Sequence, residues 1–134
     1  MASAAVIAAV KARQQAGWTT TRVDYPNETT TPPTDSADFV EVDFPLAGSD
    51  QASLGAPGAN KFRDLGTIRF IVNIKSGDGT DRATQYANEL ADLFRAKVFA
   101  GVITYAPSPP VYLGMDGVHA SWSIAIPYKY DHQE

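Results

Sequence analysis

Between Gly66 and Lys97 the spacing of apolar residues changes from every second position to every third or fourth. A chain with that change must run as a strand and then turn into a helix. In GTIRFIVNIK, Ile68, Phe70, Val72 and Ile74 share one phase, while Thr67, Arg69, Asn73 and Lys75 share the other. Successive side chains of a strand point to opposite faces, so this segment buries one face and wets the other; only Ile71 breaks the pattern. From residue 80 to 97, Ala83, Ala87, Leu90, Phe94 and Val98 recur at helical spacing, with Tyr86 and Leu93 beside them. Asp81 suits the start of the helix dipole, and Arg95 and Lys97 suit its end.

The join between the two is KSGDGTDRA, Lys75 to Ala83. Strand, glycine turn and helix is also the layout of a phosphate cradle. Such cradles read GxGxxG, or GxxxxGK followed by Ser or Thr. Here the lysine precedes the glycines, there is no third glycine, and Asp78 and Asp81 would repel a phosphate. The stretch therefore reads as a turn with Thr80 or Asp78 as helix N-cap. Two carboxylates could draw a divalent cation but do not make a shell. His119 and His132 lie in no metal or general-base motif, and no GxSxG elbow offers a serine nucleophile. No enzyme, cofactor or metal site is expected. A phosphate- or metal-using enzyme built on Gly77 to Asp81 stays as the rival from another class.

The rest of the chain alternates in kind. Residues 3 to 16 favour a helix with Val6, Ile7 and Val10 as its apolar stripe, stopped by Gly17, and Trp18 should pack on the core. TRVDY, residues 21 to 25, reads as a short strand, and residues 26 to 38 as a Pro- and Thr-rich loop. FVEVDF alternates as a half-buried strand. Residues 45 to 64 show no period and read as a long loop, of which residues 48 to 62 are expected to be mobile in an isolated subunit. VITYAP reads as a strand, and Asp116-Gly117 as a hairpin turn. SWSIAIPYKY puts Trp122, Ile124, Ile126, Tyr128 and Tyr130 on one face, with Pro127 predicting an edge strand or an early end. The sum is one α+β domain over residues 1–134: a mostly antiparallel sheet packed against two helices.

Composition narrows the function. The 134 residues, 44% hydrophobic, suffice for a core, and the absence of cysteine excludes disulfides and thiolate metal sites. No run is long and apolar enough for a membrane span, and the N-terminus reads as a helix rather than a signal peptide, so a cytoplasmic product is expected. A formal charge of −4 argues against non-specific nucleic-acid binding, leaving an oligonucleotide-binding module as a remote alternative. The charges are segregated. From Val23 to Asn60 there is no Lys or Arg, but there are Asp24, Glu28, Asp35, Asp38, Glu41, Asp43 and Asp50; Lys61, Arg63 and Arg69 follow. A monomer can solvate both regions. Equally, copies in a ring can set the acidic edge of one against the basic edge of the next.

One family resemblance covers the whole chain in order and is densest from residue 51 onward. It runs through Ser53-Leu54-Gly55, Lys61-Phe62-Arg63, Gly66, the 67–75 strand, Gly77-Asp78-Gly79-Thr80 and Leu93-Phe94. It continues in the turn Gly114-Met115-Asp116-Gly117 and the ending Ile126 to Asp131. This pattern resembles tail terminator-like proteins of tailed bacteriophages, departing from many of them at Lys75-Ser76. The resemblance implies a ring-forming, non-enzymatic virion protein at the head-proximal end of the tail, assembled in the host cytoplasm. It implies a cap that ends tube polymerisation, commonly as a hexamer, and meets the tail-tube protein and the head-side connector. A head-tail adaptor or a tail-tube subunit is the alternative, the tube being set lower because tube subunits usually carry a long sheet-forming hairpin where this chain reads as a flexible loop. Lys61, Arg63 and Arg69, with Asp38, Glu41, Asp43 and Asp78, are the expected subunit or tube contacts.

Overall fold

The computed structural model describes residues 2–26, 37–55, 58 and 60–133, and for Leu46 the backbone only. The elements are α1 (Ala4–Gly17), β1 (Arg22–Asp24), β2 (Phe39–Gln51), β3 (Lys61–Lys75), α2 (Asp81–Phe94), β4 (Val98–Phe99), β5 (Val102–Thr104), β6 (Val111–Met115) and β7 (His119–Gln133). All seven strands form one sheet in the order β1-β2-β3-β7-β5-β4, with β6 pairing β7 beside β5. Every pairing is antiparallel except β1 with β2. The fold is α+β with two helices, as the periodicities require.

The core lies between the helices and one face of the sheet. Val40, Val42 and Phe44 of β2 meet Ile68, Phe70, Val72 and Ile74 of β3, and Trp122, Ile124, Ile126 and Tyr128 of β7. Val6 and Val10 of α1, and Ala83, Ala87, Leu90, Ala91 and Phe94 of α2, cover them. Phe94 stacks at a tilt on Phe70, 5.3 Å between centroids. Trp18 is buried and meets Tyr86 edge-on. Gly17 serves proximity more than helix termination: it is the last helical residue, and a Cβ there would stand 2.5 Å from Leu93 Cδ1.

Several expectations need correction. Residues 45–64 are not a long loop. β2 and β3 continue as a hairpin paired from Leu46↔Thr67 to Gln51↔Phe62, with a register shift between Asp43 and Leu46. Ala47, Gly48 and Ser49 carry no hydrophobic period because they are exposed; backbone hydrogen bonds alone hold them in the ladder. Of the 26–38 loop, residues 27–36 lie outside the described set. β7 is not an edge strand despite Pro127. It runs for 15 residues between β3 on one side and β5 and β6 on the other. The Pro127 carbonyl accepts the Tyr105 N–H at 3.0 Å, so its missing N–H falls on the same side, where β5 has ended and β6 has not begun. In that gap Ser108 takes over: its N–H donates to Ala125 O, and its Oγ accepts the Ala125 N–H.

The second helix ends at Phe94, not Lys97. Arg95 is extended and Ala96 turns left-handed at φ 49, so Arg95 and Lys97 lie beyond the last turn and Val98 enters β4, exposed. Neither expected N-cap side chain caps. Thr80 occupies the position without a side-chain bond, and the Asp78 carboxylate binds Arg82.

Candidate interaction surfaces

Three surfaces are built by this topology. The first is an arm. Beyond Gly66, β2, β3 and β7 continue as a three-stranded ribbon, Lys61 pairing with Gln133 and Phe62 with Gln51. On its helix-side face His132 stacks against Phe62 and Tyr130 and approaches Asp64 at 3.3 Å. On the other face Arg63 grips Asp131 with two bonds, at 2.9 and 3.1 Å, which holds the Asp131 carboxyl below its usual range. At the tip, Ser53 Oγ accepts the Lys61 N–H at 2.8 Å, the Ala52 N–H donates to Lys61 O, and Gly55 takes φ 86. Leu54, between the clasp and the left-handed glycine, is 84% exposed.

The second surface is the sheet face away from the helices. Arg69 binds Asp43 through two guanidinium nitrogens, Nε at 2.9 Å and Nη2 at 2.5 Å, and that bond raises its pKa. Asn73 donates to Glu41 at 3.1 Å and accepts from the Ser121 hydroxyl at 2.6 Å.

The third lies at the far end of β3. The glycine turn joins β3 to α2 through Gly77 and Gly79, at φ 91 and 81, where a Cβ would have open space but a strained backbone. Arg82 binds Asp38 at 2.6 and 3.1 Å and Asp78 at 2.8 Å, tying the turn to the start of β2; Asp78 is held below the usual carboxylate range by that contact. Ser76 donates to the Met115 sulfur, and its N–H to Val118 O. Between the turn and β6 opens an apolar cleft of about 490 Å³, lined by Gly77, Gly79, Thr80, Tyr112, Met115, Ala120 and Trp122. Val111, Leu113 and Val118, on or beside β6, are also exposed. Asp116, whose carboxylate accepts the N–H groups of His119 and Val118, also has a lowered pKa.

The charged residues singled out from sequence therefore fall on all three surfaces. Lys61 and Arg63 sit on the arm, Arg69, Asp43 and Glu41 on the open face, and Asp38 and Asp78 beside the cleft. Arg69 meets Asp43 inside one chain, so the acidic and basic runs are interleaved by the antiparallel register rather than segregated on the surface. Sequence reasoning missed the cleft and Arg82. The signal for both was present: an apolar VYL run on a strand with a glycine after it, and an arginine four residues after Asp78. His119 is buried on β7, its ring Nε2 2.8 Å from Ala37 O. Among the described residues no cluster of three or more His, Asp or Glu could hold a metal ion, and no helix is long and apolar enough to cross a membrane.

A solved structure superposes with a TM-score of 0.64 over 96% of this chain and 95% of that one, at 21% identity, which shows a shared fold. No curated protein matches the sequence. The family described as phage tail terminator protein matches residues 4–128, from the first turn of α1 through most of β7. That span holds all of the core, so the chain belongs to the phage tail terminator protein family, a family of phage tail structural proteins.

Proposed function

We propose that this chain, as one tail-terminator-like domain, caps the tail tube, ends its polymerisation and joins the tail to the head-side connector. The observation that carries the reading is the family match over residues 4–128. In this reading copies assemble as a ring, commonly of six, at the head-proximal end of the tail, and assembly occurs in the host cytoplasm. The protein acts by contact and not by catalysis. Lys61, Arg63, Arg69, Asp38, Glu41, Asp43 and Asp78 are its proposed contact residues. Arg69 with Asp43, and Arg82 with Asp38 and Asp78, already share charge within one chain. A neighbour would thus meet paired ions, which orient an approach more than they strengthen it.

A tail-tube subunit is the second reading, and the long β2–β3 hairpin favours it. The expectation of a flexible loop in place of a sheet-forming hairpin was the ground for setting it lower, and that ground is removed. Electron microscopy of particles assembled without this gene separates the readings. Tubes of uncontrolled length unattached to full heads support the terminator. Absent tubes identify a tube subunit. Normal capped tails beside leaking heads identify an adaptor, and unchanged particles refute all three.

A further inference from the structure

We infer that the arm tip of one copy, with Leu54 as its anchor, seats in the cleft between the glycine turn and β6 of a second copy. The inference rests on the reading that copies of this chain assemble, and it names the contact. Leu54 is 84% exposed, yet the loop that carries it is braced by Ser53 and turned by Gly55. A large apolar side chain held outward by a hydrogen-bonded clasp gains stability only when something covers it. The cleft offers the matching half. Tyr112 and Met115 are 53% and 66% exposed around buried Trp122 and Ala120, and its opposite wall is Gly77, Gly79 and Thr80, with open space where either glycine would carry a Cβ. Methionine adapts its shape to what enters.

Charge points the same way. From Gln51 to Phe62 the only charged residue is Lys61. Around the cleft stand Asp78, Asp81 and Asp116 against Lys75 and Arg82, and Arg82 is shared with Asp38. A basic tip meets an acidic rim. The tip cannot satisfy its own cleft. Lys61 and Lys75 are opposite ends of one 15-residue strand, roughly 45 Å apart at the rise of a strand. The contact is therefore between copies and is heterologous, the kind that closes rings or builds open chains.

The chain has no cysteine, so two introduced thiols report on one contact alone. Leu54→Cys protein mixed with Met115→Cys protein, with oxidised glutathione, should give a disulfide-linked dimer. The double variant should give a ladder of linked copies. Leu54→Cys with Thr20→Cys, an exposed site before β1, should give far less product. Leu54→Asp should keep the melting temperature and weaken association at least tenfold. The same pairs are read in tails assembled from the variants. Assemblies that form without the 54–115 product overturn the contact and leave the ring reading intact. Absence of any assembly, in purified protein and in tails alike, overturns both.

Discussion

Replacing Thr104 with valine changes an oxygen for a methyl and keeps the outline of the side chain. Thr104 is 2% exposed on β5, and its hydroxyl donates to the Phe94 carbonyl while accepting the Lys97 N–H at 3.0 Å. The last carbonyls of a helix have no partner within it. At the end of α2 no glycine closes the turn, since Arg95 is extended and Ala96 alone is left-handed. The threonine hydroxyl is thus the partner that satisfies this buried helix end. The neighbouring backbone bond, Thr104 N–H to Lys97 O at 2.9 Å, survives in any variant. Valine leaves a buried carbonyl without a donor and a part-buried amide without an acceptor. At about 1–3 kcal/mol for each such group, and the lower end for the amide, the loss is about 2–4 kcal/mol. Thr104→Ser keeps the hydroxyl and loses one methyl, about 1 kcal/mol. Urea unfolding followed by the fluorescence of buried Trp18 and Trp122 reads both variants. The valine midpoint should fall by about 1–2 M, clearly below that of serine. A valine variant as stable as the serine one would refute the hydroxyl as the cap of α2.

Three further outcomes are expected. Ala100 and Gly101, at φ 48 and 81, are the two-residue turn between β4 and β5, so Ala100→Asn should raise stability by about 0.5–1 kcal/mol, seen as a calorimetric melting shift of a few degrees; no rise would mean the turn is not left-handed at both positions. Amides of residues 62–66, in the middle strand of the arm, should exchange with deuterium at least tenfold more slowly than those of residues 53–55, and equal rates would show the arm unformed. Asp78, Asp116 and Asp131 are more acidic folded than unfolded, so their contribution is complete above about pH 4 and is lost as pH falls through the lower folded values. Melting temperature should fall more steeply below pH 4 than the Asp131→Asn variant shows, and for this exposed pair 0.5 M salt should shrink the difference; identical profiles would dismiss the Arg63–Asp131 bond as a stabiliser.

The parts of the fold that were legible are those whose side chains carry the energy. β3 and α2 announce themselves because Ile68 to Ile74 and Ala83 to Phe94 bury one phase each, and burial is what periodicity records. The arm leaves no such record. Ala47, Gly48 and Ser49 hold their places by backbone bonds to β3, a property common to every residue type. Pro127 misled for a related reason. Whether its missing N–H matters depends on what stands opposite, and the break between β5 and β6 is set by the distant YAPSPP segment, not by the strand itself. Ala100 hid a hairpin turn because alanine is a poor left-handed residue, tolerated here where Gly101 follows.

Surfaces were less legible than the core because they depend on register. The acidic run before Asn60 and the basic residues after it look segregated along the chain, yet a hairpin folds one run against the other. Asp43 opposite Arg69 is the direct consequence. A hairpin that alternates acid on one strand and base on the other neutralises itself, so a ring built from such copies needs some contact other than salt bridges between edges. Exposed apolar side chains stand at both ends of β3: Leu54 at one, and Tyr112, Leu113 and Met115 at the other. An assembly held by two such apolar features, at opposite ends of one strand and unable to cover each other within a chain, should survive high salt. An assembly held by the charged residues would dissociate in it.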